Sequence, residues 1–284
     1  MFCELFGFSK QAYYKHQSYN KISDLRTLKL RDSVLELRRQ IPRLGVRKLH
    51  YLLNLQSSIH IGRDKLFSVL RDEGLLICKK RKYTITTNSK HWLRKYPNLI
   101  KDICLERPEQ LWVADITYID TYEGNAYLHL VTDAYSKQIM GYELCANMEA
   151  VSTLKALKMA LGKRTYTASK LIHHSDRGLQ YCSKLYTDCL KGSRINISMT
   201  ENGDPYENAI AERVNGILKD EFGLSDKFEN IRQAKELTRQ SIEIYNQLRP
   251  HLSCSLLTPN QMHQQSKIKL ISFKKKKFRH LSNV

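Results

Sequence analysis

The spacing of apolar positions changes character about a third of the way along the chain. Up to about residue 75, apolar residues recur three and four positions apart, as on helices with one buried face. This predicts helices over 24–39, 46–54 and 63–73. The last carries Leu66, Phe67 and Leu70 on one face, with Gly74 placed to end it. Ahead of them, Gly7 marks a turn and Ser9 suits the N-cap of a further short helix. Beyond residue 110 the period shortens to two. Strands are expected over 111–119, 127–132 and 138–144, with Gly124-Asn125 turning the first into the second. A helix over 151–161, a strand over 170–174, a helix over 183–190 and a strand over 195–199 follow. Helices over 206–222 and 231–248 complete the alternating part.

Three strands in a meander, then helix, strand, helix, strand, helix, is the order of a ribonuclease H-like α/β fold. The helical part before it reads as a separate all-α region. A length of 284 residues suits two domains. The change of composition divides the chain into 1–101, 102–266 and 267–284.

Charge sharpens that division. The whole chain carries a formal net charge of +19, which points to a polyanionic partner. Residues 1–101 hold 22 basic and 7 acidic side chains, residues 102–266 hold 18 and 21, and residues 267–284 hold 7 and none. The excess therefore sits on two flanks around a slightly acidic middle. In the first flank the Ser9 helix resembles half of a helix-turn-helix whose first helix is cut short at Met1. Plain three-helix packing is the simpler alternative. Lys79-Lys80-Arg81-Lys82, with Lys90, Arg94 and Lys95 and the interleaved Tyr83 and Trp92, suits a connector that tracks phosphates. The plainer alternative is a solvated run. No apolar stretch approaches the ~18 residues of a membrane span. The N-terminus has no signal-peptide pattern, so a cytoplasmic protein is expected. Seven scattered cysteines form no C-x-x-C pair and support neither a disulfide framework nor a zinc knuckle.

Three carboxylates in the middle segment carry candidate chemistry. Asp115 lies mid-strand, on the face shared by Val113, Thr117 and Ile119. A carboxylate in so apolar a strand is costly without a partner. Asp176 follows the strand ending in His173-His174-Ser175, where sites on α/β sheets gather. Glu212 lies on a helix face with Asn208, Asn215 and Lys219. Such a trio can hold two hard divalent cations for in-line displacement at phosphorus. Taken singly, each has an ordinary alternative: a strand-end hydrogen bonder, a turn cap, a solvated helix residue. Asp133 is a rival second-strand carboxylate.

Sixty residues separate Asp115 from Asp176, and thirty-five separate Asp176 from Glu212. This resembles the D-D-35-E signature of transposases and retroviral-type integrases. The text over 112–118, 174–181 and 198–205 resembles the integrase-core subunit (OrfB) of the insertion-sequence-three transposases. So do Asn208-Ala209, Lys219-Asp220-Glu221 and Tyr245-Asn246-Gln247-Leu248-Arg249-Pro250-His251. Upstream, the text over 43–49 and 72–75 resembles the helical domain that precedes that core, so the likeness runs from about residue 5 to 263. Glu207 departs from the usual Asp, and Arg213-Val214 from the frequent Ser plus aromatic.

The resemblance implies metal-dependent DNA strand cleavage and strand transfer at the ends of an insertion sequence. Asp115, Asp176 and Glu212 would be catalytic and would hold two Mg²⁺ ions, or Mn²⁺. A water would release a 3′-OH at the element end, and that 3′-OH would attack a second phosphodiester. Lys219, Asn208 and Asn215, and in the flank Arg47, Lys48, Lys79, Lys80, Arg81 and Lys82, would contact DNA. The implied partners are double-stranded element ends and target, further copies of the chain on DNA, and a first-frame product (OrfA). The expected place is the bacterial cytoplasm, at the nucleoid. Two other readings share these residues: a hydrolytic nuclease that stops after cleavage, and a DNA-binding regulator with a vestigial core. His174 would orient a carboxylate or simply pack.

Overall fold

The computed structural model describes residues 7, 9–56, 60–78, 93–101, 103–201 and 208–264. The helical region holds α1 (Lys10–Gln40), α2 (Val46–Gln56) and α3 (Arg63–Asp72). Helix α1 corrects the expectation of short helices. It runs unbroken for 31 residues, from the Ser9 cap, whose hydroxyl accepts the Ala12 N–H, through the polar stretch where no apolar face is legible. Its C-terminal half, through Leu30 and Val34, and Ile41 just beyond it share a core with Leu49 and Leu53 of α2 and Leu66 and Leu70 of α3. Gly74 closes α3 in the left-handed region at φ +66°, with Leu75 N–H returning to Leu70 O, a turn in which a Cβ would be strained.

The core is a five-stranded sheet in the order β3-β2-β1-β4-β5. Strands β1 (Leu111–Thr121), β2 (Gly124–Asp133) and β3 (Ile139–Cys145) form the antiparallel meander. Strands β4 (Ile172–Ser175) and β5 (Asn196–Met199) extend it in parallel from β1. Helix α4 (Ala150–Gly162), a four-residue α5 (Leu179–Cys182) that the periodicity did not predict, and α6 (Lys184–Gly192) lie with one face of the sheet. Gly141 permits the close seat of α4 on β3: a Cβ there would stand 2.0 Å from Ala156 O. The other face takes α7 (Ala209–Glu221) and α8 (Ile231–Leu248), with α9 (Pro259–His263) packing against α8. Asn230 caps α8 at Gln233 N–H, and Thr258 and Gln261 form a capping box on α9.

Alternation along β1 decides this layering. Trp112 and Ala114 enter the α4–α6 core, whereas Val113 meets Ala211 of α7 and Ile119 joins the α7–α8 core. The apolar core on the α7 side continues from Tyr245 into Leu30 of α1. Polar bonds reinforce that seam. Arg43 N–H donates to Glu221 O at 3.0 Å, and Lys48 Nζ meets Glu221 Oε1 at 2.7 Å. The connector also docks, with Met199 N–H on Pro97 O and Leu99 N–H on Ser198 Oγ.

Candidate active site

Register brings the two aspartates together. Parallel pairing of β1 with β4 sets Val113 opposite His174, so continuing each strand by two residues brings Asp115 level with Asp176. Asp176 lies just past β4, where its Oδ1 accepts Gly178 N–H at 3.0 Å. The turn-cap alternative for Asp176 is therefore real, and it fixes the carboxyl beside the strand end. His174, level with Val113, has its Nδ1 2.8 Å from Ser198 Oγ on β5.

Helix α7 crosses β1 on the same side. Asn208 Nδ2 donates to Ala114 O at 3.1 Å, and Asn215 Nδ2 donates to Asp115 Oδ2 at 2.7 Å. These two amides straddle Glu212, which lies in the first turn of α7 on the same helix face. Asn208 and Asn215, expected among the DNA contacts, are both buried, and their amides are used inside the protein. Lys219, one turn beyond Asn215, lies 4.0 Å from the Tyr118 ring centroid. Burial lowers its pKa, while Asp120 and Asp115 pull the other way.

The Asp115 carboxyl is enclosed, and its pKa is pushed up to about 7. Burial is the largest cause, the Asp176 charge adds to it, and Glu212 adds a smaller share; the Ile116 N–H and Asn215 amide oppose. Asp176 and Glu212 thus both act on Asp115 electrostatically. Hard oxygen donors in that state suit a divalent cation. Among the described residues, however, no three His, Cys, Asp or Glu side chains converge closely enough to hold a metal ion, and Glu212 is exposed.

The rival Asp133 has a different role. It is fully buried, its Oδ1 accepts the N–H and Oγ–H of Ser136 at 2.7 Å each, and its Oδ2 accepts Glu109 N–H at 2.7 Å. It closes the β2–β3 turn.

Residues 106–205 match the Integrase core domain family, and residues 193–259 match a second family of the same description. The insertion element IS600 31 kDa protein of Shigella sonnei is 38% identical over 263 residues, covering 90% of this chain and 95% of that one. Transposase InsF for insertion sequence IS3fB of Escherichia coli K12 is 34% identical over 199 residues, 69% of each chain. The chain belongs to the IS3-family insertion-sequence transposases. Its activity is DNA transposition by DDE-type polynucleotidyl transfer. Among solved structures, the HTLV-2 integrase catalytic core in complex with magnesium is 18% identical, covers 55% of this chain and 97% of its own, and has a TM-score of 0.43.

The remaining residues expected to contact DNA belong to the N-terminal flank. Arg47 is exposed and faces a groove that also presents Arg63 and Arg71 of α3. Lys48, its neighbour, is turned inward onto Glu221, so the position expected to grip phosphate is an internal ion pair. Lys79, Lys80, Arg81 and Lys82 lie outside the described residues. Sequence reading gave Arg249 no role. It is 1% exposed and forms a two-pronged pair with Glu221, at 2.8 and 2.7 Å, at the C-terminal end of α7. Its place in the Tyr245–His251 text was the available signal. Burial pushes the Glu221 carboxyl up, but Arg249 and Lys48 outweigh it and hold the group below its ordinary range.

Proposed function

We propose that Asp115, Asp176 and Glu212 are the catalytic carboxylates of this transposase and that they hold two divalent cations, Mg²⁺ or Mn²⁺. The observation that carries this reading is the β1–β4 register, which brings Asp115 level with Asp176; the Asp176 charge, and to a smaller extent Glu212, add to burial in raising the Asp115 pKa. Carboxylates brought together so that each raises the other's pKa are a mark of functional sites. When bound, the cations would supply the positive charge that an in-line displacement at phosphorus needs.

The chain's own residues do the positioning. Asn215 fixes the rotamer of Asp115 through its 2.7 Å bond. Gly178 N–H does the same for Asp176. Asn208 ties the start of α7 to β1, so Glu212 arrives on a helix pinned on both sides of it. Lys219, on the same face, reaches a DNA phosphate beside the carboxylates. Such placement is most of what phosphoryl transfer asks of a protein.

The substrates in this reading are double-stranded element ends and target DNA, engaged by more than one copy of the chain. A first-frame product (OrfA) adds end recognition, and the complex works on nucleoid DNA in the bacterial cytoplasm. Labelled element ends with Mg²⁺, with and without that product, test the reading. Cleaved and joined strands are expected from the wild-type protein, and neither from Asp176→Asn. Nicks without joined strands would favour a hydrolytic nuclease; unchanged products from Asp176→Asn would overturn the carboxylate assignment.

A further inference from the structure

Where α2 meets α7 and the chain after α8, a cavity of about 380 Å³ opens beside the catalytic helix. A water in the liquid takes up ~30 Å³, so the space admits a small solvated group. One wall is an apolar flank of α7; around it stand Lys48, Lys137, Arg213, Arg249 and His251.

The charge there does not balance. Glu221 is spent on both prongs of Arg249 and on Lys48. Lys137 donates to Ala134 O, and the nearby Asp133 is already engaged by Ser136 and faces His263. Arg213 is exposed and has no carboxylate partner among the described residues. Four cations thus surround a partly apolar space with one committed carboxylate at its back. Their field reaches His251: burial first, then Arg249, Lys48, Lys137 and Arg213, lower its pKa to about 2. Lys48 is lowered to about 8 by burial and then by Arg249, against the pull of Glu221. Uncompensated cations against an apolar wall attract an anion more strongly than the same charges in open water.

We propose that this cavity binds a phosphate group, with Arg213 as the free donor at its mouth and Lys48, Lys137 and Arg249 as the fixed positive field. Arg213 is the next residue after Glu212 and lies about 100° around α7 from it. Because Arg213 adjoins Glu212 on α7, the source we favour is a non-reacting phosphate of the DNA backbone. The choice of source rests on the catalytic reading of Glu212; the phosphate chemistry does not.

The test uses the full-length protein. Inorganic phosphate is titrated at constant ionic strength against chloride, and the Arg213 side-chain N–H is followed by NMR. Saturable shifts are expected, weakened at least tenfold in Arg213→Ala when followed at backbone amides lining the cavity, and largely kept in Arg213→Lys. Separately, DNA affinity is measured against salt. Loss of one phosphate contact should make the log–log slope shallower by ~0.9 in Arg213→Ala. A phosphate response with an unchanged slope assigns the site to free phosphate and overturns the DNA source. No saturable response in the wild-type protein overturns the site itself. Asp176→Asn should respond to phosphate like wild type, so failure of the catalytic reading would show separately.

Discussion

Two groups of carboxylates, one at the approach to β1 and one around its middle, have opposite fates. Glu109 and Asp133 are neutralised. Thr165 and Tyr166 N–H groups bond Glu109 at 2.6 and 2.8 Å, Arg164 stands 3.4 Å away, and His263 lies between the two carboxyls. Burial alone would lower the His263 pKa, but Asp133 and Glu109 outweigh it and raise it to about 9. That imidazolium anchors α9 to the core. At Asp115 the balance runs the other way: burial, then the Asp176 charge, and to a smaller extent Glu212, push it toward its neutral form. Both groups look alike as letters in a chain. What separates them is what the fold sets beside each: a histidine between Glu109 and Asp133, a second carboxylate beside Asp115.

The largest expected effect tests the neutralised group. Asp133→Ala leaves His263 with half its counter-charge and removes the turn closure. Breaking such a buried pair should destabilise by about 3–5 kcal/mol, read from denaturant unfolding, with little direct effect on the reacting groups. A loss below about 1 kcal/mol would end the contrast. Next, Glu212→Gln should reduce strand transfer by about 10²–10³-fold with the thermal midpoint nearly unchanged, since Glu212 is exposed. Loss of both activity and stability would place Glu212 with the structural carboxylates.

Acidity sharpens the comparison further. A group whose folded pKa is raised stabilises the folded state at low pH. The His263 contribution is full below its unfolded pKa near 6.5 and is lost as pH rises through about 9. A raised pKa of this size corresponds to roughly 3 kcal/mol. Thermal midpoints between pH 6 and 10 should fall in wild type and lose that slope in His263→Ala. In metal-free protein Asp115 acts in the same sense over a lower window. Ionising it costs the folded state between its unfolded value near 3.8 and its folded value of about 7. Asp115→Asn should therefore raise stability at pH 8 by about 0.5–2 kcal/mol while abolishing strand transfer. Carbon NMR of the Asp115 carboxyl should also show its midpoint falling in Asp176→Asn. The smallest effect is expected from Lys219→Ala, a DNA-binding slope against salt shallower by ~0.9 with unchanged stability.

Much of the fold was legible where local pattern and final packing agree. Helix α8 spans Ile231–Leu248, the limits its periodicity predicts, because its Asn230 cap and apolar face are local signals. Strand β1 was legible because Val113 and Trp112 really do enter different cores. The continuity of α1 was not, since its described residues 10–18 are all exposed and offer no apolar stripe to read. Nor could the letters tell Arg47 from Lys48: adjacent residues of one charge sign point 100° apart on a helix, and only the position of Glu221 makes one internal. For the same reason Asn208 and Asn215 were placed on the right helix face but given the wrong neighbours, DNA instead of Ala114 and Asp115.

The sequence by itself determined the division of charge into flanks and middle, the alternation that layers the sheet, and the sixty- and thirty-five-residue spacings of the carboxylates. Those are local or additive properties, readable without knowing what lies across the fold. The tertiary structure decided the rest. Pairing of Val113 with His174 brings Asp115 level with Asp176, and the crossing of α7 adds Glu212. Meanwhile His263, 130 residues beyond Asp133, arrives to neutralise the rival carboxylate. Charge compensation depends on distance in space, and contacts between residues so far apart in the chain leave no trace in its local pattern.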